Sequence, residues 1–281
     1  MSKAAVESIR AKSIIVKSNL PDSDYVVNPY IGCAFGCRYC YASFMGRFNG
    51  KAVGDWGAYV LVKENAAELL AREIRKKCFA GEKPPVLLFS SVTDPYQPAE
   101  KEFRLTRRML EILAELRYAG EISILTKALL VTRDIDLFKN LPRASVGITI
   151  NTVNPALKRE FEPVTPSEKD RLRALEALNA AGIETYAFVG PIFPDCYDKP
   201  ALVADTLKAI RDAGTTWVYL EHINLNPRIR ARLNDLLGLK VSKAKAEQKK
   251  QIDDLAAECC RRYGLAIIGG APIVHGQGGA L

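Results

Sequence analysis

Short apolar runs alternate with amphipathic helical stretches along this chain, and that rhythm limits its fold more than any other feature. Val86 to Phe89, Ile122 to Leu125, Ser145 to Ile150, Thr185 to Val189 and Thr216 to Leu220 read as buried strands, preceded by Tyr25 to Val27 and followed by Ala266 to Ile268. Between them, helical spacing predicts helices over Asn65 to Cys78, Leu105 to Leu116, Arg133 to Asn140, Pro155 to Phe161, Glu168 to Ala181, Pro200 to Ala213 and Lys243 to Tyr263. Pro84-Pro85, Pro142, Gly182 and Gly214 punctuate them, either by removing an amide donor or by accepting a left-handed backbone. Strands joined through helices must run parallel, so the chain predicts an α/β fold with six strand and helix units. Six units rather than eight point to an incomplete (β/α)6 partial TIM barrel; a doubly wound open sheet is the architectural alternative.

In both architectures the functional loops leave the C-terminal ends of the strands. The cysteines at 33 to 40, Ser91 to Asp94, Lys127, Asn151 and Gly190 all fall there. The expected organisation is a lead-in at 1–24, one domain over 25–268 and a Gly-rich tail at 269–281. The N-terminal stretch has no apolar signal region and no run is long enough to span a bilayer, so the expected location is cytoplasmic, with no membrane partner.

Asn28 to Ala42 reads NPYIGCAFGCRYCYA and places Cys33, Cys37 and Cys40 in a CxxxCxxC spacing. Seven cysteines, three of them in one loop, fit a disulfide framework poorly. Thiolates are soft ligands for iron–sulfur clusters or zinc, and both sites normally take four of them. Three thiolates leave one metal position open to a small molecule, the arrangement of a catalytic rather than a structural site. The structural alternative is zinc completed by Cys78, Cys196, Cys259 or Cys260, although none of these forms a second CxxC pair. A formal charge of +8 permits a polyanionic partner such as nucleic acid.

The cysteine spacing with Tyr39 inside it, following the first strand of a six-unit β/α pattern, resembles the radical S-adenosylmethionine (SAM) superfamily. Further blocks, SSVTDPYQPAEKEFRLTRRMLEIL, ILTKALLVTRDIDLF, FEPVTPSEKDRLRALEALNAAGI and GPIFP, resemble its spore photoproduct lyase-like branch, over about Asn28 to Pro194. The resemblance implies that Cys33, Cys37 and Cys40 hold a [4Fe-4S] cluster whose unique iron binds SAM. It implies that Tyr39 lies by the adenine, that Ser91, Thr93 and Asp94 meet the methionyl amino group, and that Gly190 and Pro191 line the adenine. Lys127 and Arg171 would offer cations to the SAM carboxylate. From its residues alone, Asp94 before Pro95 also reads as a turn start, and Arg171 as a solvated helix residue.

The implied chemistry is one-electron cleavage of SAM to a 5′-deoxyadenosyl radical that takes hydrogen from a substrate. The electron would come from a partner such as flavodoxin or ferredoxin. Spore photoproduct lyase returns hydrogen through a cysteine at the end of the second strand, with tyrosines of the cluster loop. Tyr41 matches one of those tyrosines, but this chain reads Phe89-Ser90-Ser91 where the thiol would be. Cys196, after the fifth strand, is the alternative donor. These residues favour modification or repair of a nucleic acid or nucleotide over authentic spore photoproduct repair. A peptide or small-metabolite substrate is the second reading, and a non-catalytic zinc- or cluster-binding module the third. Trp217 reads as core, His222 as a structural or substrate-facing histidine, and five lysines between 240 and 250 as a solvated helix or a phosphate-facing surface.

Overall fold

The computed structural model describes residues 4–78, 83–193, 200–237 and 246–273. Its strands are β1 (Ala5–Ile9), β2 (Ile15–Lys17), β3 (Tyr25–Val27), β4 (Tyr30–Ile31), β5 (Tyr59–Lys63), β6 (Leu87–Phe89), β7 (Ile122–Thr126), β8 (Ala144–Thr149), β9 (Glu184–Ile192), β10 (Trp217–His222) and β11 (Ala266–Ile267). Its α-helices are α1 (Ala66–Cys78), α2 (Glu100–Phe103), α3 (Leu105–Glu115), α4 (Ile135–Phe138), α5 (Pro155–Phe161), α6 (Glu168–Ala180), α7 (Pro200–Asp212), α8 (Pro227–Leu237) and α9 (Ala246–Tyr263).

The main sheet has the order β11-β10-β9-β8-β7-β6-β3-β2. All its pairings are parallel except β2 with β3. The strands β3, β6, β7, β8, β9 and β10 stand side by side in chain order, each followed by a helix before the next begins. The sheet does not close on itself, so the fold is the incomplete barrel rather than a full one. Burial explains the runs: Leu87, Phe89, Ile124, Val146, Ile148, Ala187 and Val218 have essentially no exposed surface. Each buried aliphatic of that kind stabilises the fold by about 1.5–3 kcal/mol. The helices supply the outer half of the core, as α3 does with Leu105, Met109, Leu110 and Leu113 on one face. Ser167 caps α6 by accepting the Asp170 amide, and Gly182, at φ +76°, follows its C-terminal end.

Four strands depart from the sequence reading, among them β4, Tyr30–Ile31, at the start of the cysteine loop. Residues 5–9 and 15–17, within the expected lead-in, form β1 and β2, and Tyr59–Lys63 forms β5 between the cysteine loop and α1. β5 pairs parallel with β1, Ala5 opposite Tyr59, and antiparallel with β4, making a second sheet of three strands. The side chains of β1 are mostly exposed, so the segment lacks the alternation that marks a strand, and its partner is far away in sequence. Trp217 is a correction: at the start of β10, on the side alternating with buried Val218 and Leu220, it is 49% exposed. His222 is structural in its contacts, since Nε2 lies 2.6 Å from Asp253 Oδ1 on the covering helix α9. Cys196, the tail from 274 onward, and Lys240, Lys243 and Lys245 lie outside the described residues. No described helix is long and apolar enough to cross a membrane.

Candidate active site

The cysteine loop leaves β3 at the C-terminal end of the sheet and is held there by short-range and long-range hydrogen bonds. Within it, the Gly36 amide donates to the Cys33 carbonyl (3.1 Å) and the Cys40 amide to the Cys37 carbonyl (3.2 Å). Gly32 sits at φ +82°, where an added Cβ would stand 2.5 Å from the Tyr59 carbonyl, so only glycine lets the loop lie against β5. Gln97 clamps the loop from outside: its Oε1 accepts the Ala34 amide at 2.9 Å, and its Nε2 donates to the Gly32 carbonyl at 3.2 Å. Thr93 donates to the same carbonyl at 2.6 Å. Asn28 ties the loop's start to the end of β6, with Oδ1 accepting the amides of Ser91 (3.1 Å) and Val92 (3.2 Å).

Cys33 and Cys37 are buried and Cys40 half-buried. Burial first, then Asp94 and Cys37, pushes the Cys33 thiol well above its ordinary range. Burial and Glu162 push Cys37 up to about 12, and burial raises Cys40. The three thiols therefore feel one another in a dry pocket. Among the described residues, no His, Cys, Asp or Glu group is arranged to hold a single metal ion. Cys259 and Cys260, both buried, belong to α9. Three thiols on one loop are the soft donor set that an iron–sulfur cluster takes, and three thiolates would leave one iron position open. The side chain of Cys78 lies outside the described residues.

Beside the thiols is a buried polar cluster centred on Glu162, a residue that sequence reasoning passed over as part of a helix interruption. Tyr39 and Arg171 both donate to the Glu162 carboxylate, and Lys127 Nζ approaches it to 3.9 Å. Arg171 is further fixed by the Thr149 carbonyl (3.0 Å), the Pro166 carbonyl (3.2 Å) and the Thr165 hydroxyl (2.7 Å). Burial acts to raise the Glu162 carboxyl, but Arg171 and Lys127 outweigh it and hold it down at about 2. Burial acts to lower the Lys127 ammonium, and the Cys37 thiol and Glu162 reverse that. Asn151, just beyond β8, donates to the Tyr39 hydroxyl at 3.1 Å, while its Oδ1 is buried and unpartnered among the described residues. A small cavity of about 20 Å³ opens here, lined by Asn151, Thr152, Phe161, Glu162, Arg171 and Phe193. Phe161 and Phe193 stack at 4.1 Å on its wall, and Tyr39 meets Phe193 edge-on at 5.6 Å.

The structure thus brings Cys37, Tyr39, Lys127 and Arg171 together around one carboxylate, and sets Ser91, Thr93 and Asp94 against the loop. Asp94 is buried and already accepts from the Thr126 hydroxyl (2.6 Å) and from the amides of Tyr96 and Lys127 (2.9 Å each). Its role in positioning the β6 and β7 loops is therefore plain. Arg171 is 2% exposed, a correction to the solvated-helix reading. Tyr41 donates to the Ser91 carbonyl, joining the loop to the end of β6. Gly190 and Pro191 are buried within β9, with a cis peptide between them. The signal for Glu162 was present in FEPVTP: a carboxylate just before a proline-broken turn, followed by Arg171 half a helix later. Gln97 and Asn28 carried no comparable signal.

Three thiols, a dry polar cluster and a cavity at the C-terminal mouth of a six-strand partial barrel define a cofactor-dependent enzyme site. Residues 27–197 match the radical SAM superfamily, and the chain belongs to it. It is therefore an enzyme of a family that uses a [4Fe-4S] cluster and SAM. An uncharacterized protein of Methanocaldococcus jannaschii is 41% identical over 224 residues, 80% of either chain. An uncharacterized Mycobacterium tuberculosis protein is 33% identical over 73% of this chain and 60% of its own length. Spore photoproduct lyase of Clostridium acetobutylicum is 26% identical over 62% of this chain and 48% of its own. Among solved structures, spore photoproduct lyase complexed with dinucleoside spore photoproduct superposes with a TM-score of 0.74 at 15% identity, covering 93% of this chain and 81% of that one. The partial-barrel fold and the spore photoproduct lyase-like resemblance are thereby shown.

Proposed function

We propose that Cys33, Cys37 and Cys40 hold the cluster and that the adjoining cavity takes SAM, for a reaction in which hydrogen is removed from a nucleic acid or nucleotide. The observation that carries the site assignment is the buried loop of three thiols abutting the Tyr39, Glu162 and Asn151 cluster and its cavity. When bound, cluster and SAM supply a 5′-deoxyadenosyl radical. The chain's own residues bind and orient. Asn151 Oδ1 offers an unspent acceptor for a hydroxyl, and Tyr39, Phe161 and Phe193 offer apolar faces for an adenine. Lys127 is the cation proposed to face the SAM carboxylate, while Arg171 is paired with the Glu162 carboxylate and holds it in place; Ser91 and Thr93 add hydroxyls at the end of β6. Gly190 and Pro191 supply the β9 wall. Stacked aromatics and α8 exclude water, which a radical reaction needs.

The substrate class is supported by the net charge of +8 and by the likeness to spore photoproduct lyase, one solved structure of which is complexed with a dinucleoside spore photoproduct. The reaction differs from authentic spore photoproduct repair on this reading, because β6 ends in buried Phe89 followed by Ser90 and Ser91. A serine hydroxyl does not replace a thiol as hydrogen-atom donor; Tyr41 remains near that position, and Cys196 is the thiol proposed for the step. The test is anaerobic reconstitution followed by incubation with SAM, a one-electron reductant and deuterated DNA or RNA oligomers. Deuterium in 5′-deoxyadenosine supports the reading; stimulation by a peptide or small metabolite alone selects the other substrate class, and no SAM cleavage removes the enzyme assignment.

A further inference from the structure

The cysteine loop has an outer side as well as a mouth. Directly after Cys40 the chain enters a 3-10 segment, Tyr41–Asn49, tied back by the Ser43 amide to the Cys40 carbonyl at 3.2 Å. This segment turns Phe44, Arg47 and Phe48 outward; Phe48 is 69% exposed, the most of any exposed large hydrophobic residue described. The Arg47 guanidinium lies over both rings, 5.2 Å from Phe44 and 4.7 Å from Phe48. From the end of β10, α8 arrives on the same side. Its Arg228 lies 5.9 Å from the Phe44 ring, and one turn later Arg232 donates to the Arg38 carbonyl (3.1 Å) and the Val53 carbonyl (2.7 Å).

The arginines packed against the barrel interior, Arg107, Arg133 and Arg171, are each neutralised by carboxylates. Among the described residues, Arg38, Arg47, Arg228 and Arg232 make no ion pair. The neighbouring acids are few: Asp55 is spent on the Ala52 amide at 2.8 Å, and Asp235 lies on α8 beyond Arg232. The result is an apolar centre of Phe44, Phe48 and Val53 with an arginine rim, set on the loop that carries Cys40.

We infer that this face is the docking surface for the electron donor, a small one-electron carrier protein with an acidic face. The inference rests on the proposed radical SAM reading. Each turnover of that chemistry takes one electron from outside: the carrier's flavin or iron–sulfur centre is oxidised by one electron, and the site is reduced by one. The electron's route inward starts at the half-buried Cys40, since Cys33 and Cys37 are buried. The inner face of α8 is occupied, with Ile229 and Leu233 packed on Phe161 and Phe193 beside Tyr39 and Tyr41. Arg228 and Arg232, one residue before each of these, belong to the adjoining stripe. A substrate that must reach atoms inside the barrel gains little from that outer stripe, whereas a carrier needs only to approach the loop. A small basic rim around one apolar anchor suits a transient, electrostatically steered redox encounter.

The test compares two reductants on the reconstituted enzyme. Arg47→Glu, Arg228→Glu, the double reversal and Phe48→Ala are assayed for 5′-deoxyadenosine formation, with dithionite and with subsaturating reduced flavodoxin. All three positions are surface sites away from the cavity. Expected are an unchanged dithionite rate and a flavodoxin-driven rate lowered about tenfold or more for the double reversal at low salt, with a shallower salt dependence. Arg47→Lys should keep most of the rate. A flavodoxin rate equal to the parent's overturns the inference, as does an equal fall with both reductants. Loss of oligonucleotide binding with the flavodoxin rate intact also overturns it and makes the face a nucleic-acid surface. A parent enzyme that cleaves no SAM with dithionite fails at the enzyme reading itself, and the docking inference falls with it.

Discussion

Replacing Glu162 by Gln tests the site's electrostatics most directly. The side chain keeps its shape and can still accept from Tyr39, but the charge shared by Arg171 and Lys127 is lost. Both Glu162 and Arg171 are 2% exposed, so no water replaces it. Removing one partner of such a buried pair costs about 3–5 kcal/mol, because the remaining cation is left uncompensated. For a chain of this length that corresponds to a fall in Tm of about 10 °C. The double variant Glu162→Met with Arg171→Met should recover only part of it, since the apolar pair needs no charge balance but Lys127 is still left without its anion. The pH dependence follows from the depressed carboxyl. Its folded pKa of about 2 lies below the ordinary 4.5, so the stabilisation is fully present above about pH 4.5 and is lost as pH falls toward 2. Denaturant titrations of parent and variant should therefore differ by a constant amount from pH 8 to 5 and converge below pH 4.5. A Gln variant within 1 kcal/mol of the parent at pH 7, or a gap that persists undiminished to about pH 2, would refute this account.

Alanine at Cys33, Cys37 or Cys40 should abolish the absorbance near 400 nm and cut iron per chain from about four to below one after reconstitution, with far-UV circular dichroism unchanged. Asn151→Ala removes the unspent acceptor in the cavity and should raise the KM for SAM about tenfold with a smaller change in kcat, about 1–2 kcal/mol of binding. Lys63 donates to the Asn28 carbonyl at 2.8 Å and burial lowers its ammonium to about 8, so charging it opposes folding below that pH. Stability should rise between about pH 8 and 10.5 in the parent, and Lys63→Met should flatten that rise in urea titrations.

Much of the fold was legible because the main strands are buried on both faces and therefore apolar throughout, as Leu87 to Phe89 and Val146 to Ile148 are. Their spacing by helices then left parallel order as the natural solution. The second sheet was not legible from β1, whose side chains face solvent and whose identity as a strand comes from backbone pairing with β5. Trp217 misled for a related reason. Its bulk favours burial, yet its register on β10 alternates with Val218 and it lies at the strand's first position, where little covers it.

The site divides along the same line between local and non-local information. The three cysteines are local: their spacing within one loop states their purpose before any partner is known. Tyr39, Lys127, Asn151 and Arg171 come from different elements and acquire a shared meaning only through the Glu162 carboxylate they surround. Two buried cations beside each other require a buried anion, because leaving both uncompensated costs more than the fold can spare. With Lys127 and Arg171 both buried and close together, a protein carboxylate between them is required. Glu162, at the end of α5 and nine residues before Arg171, is the residue that meets this demand.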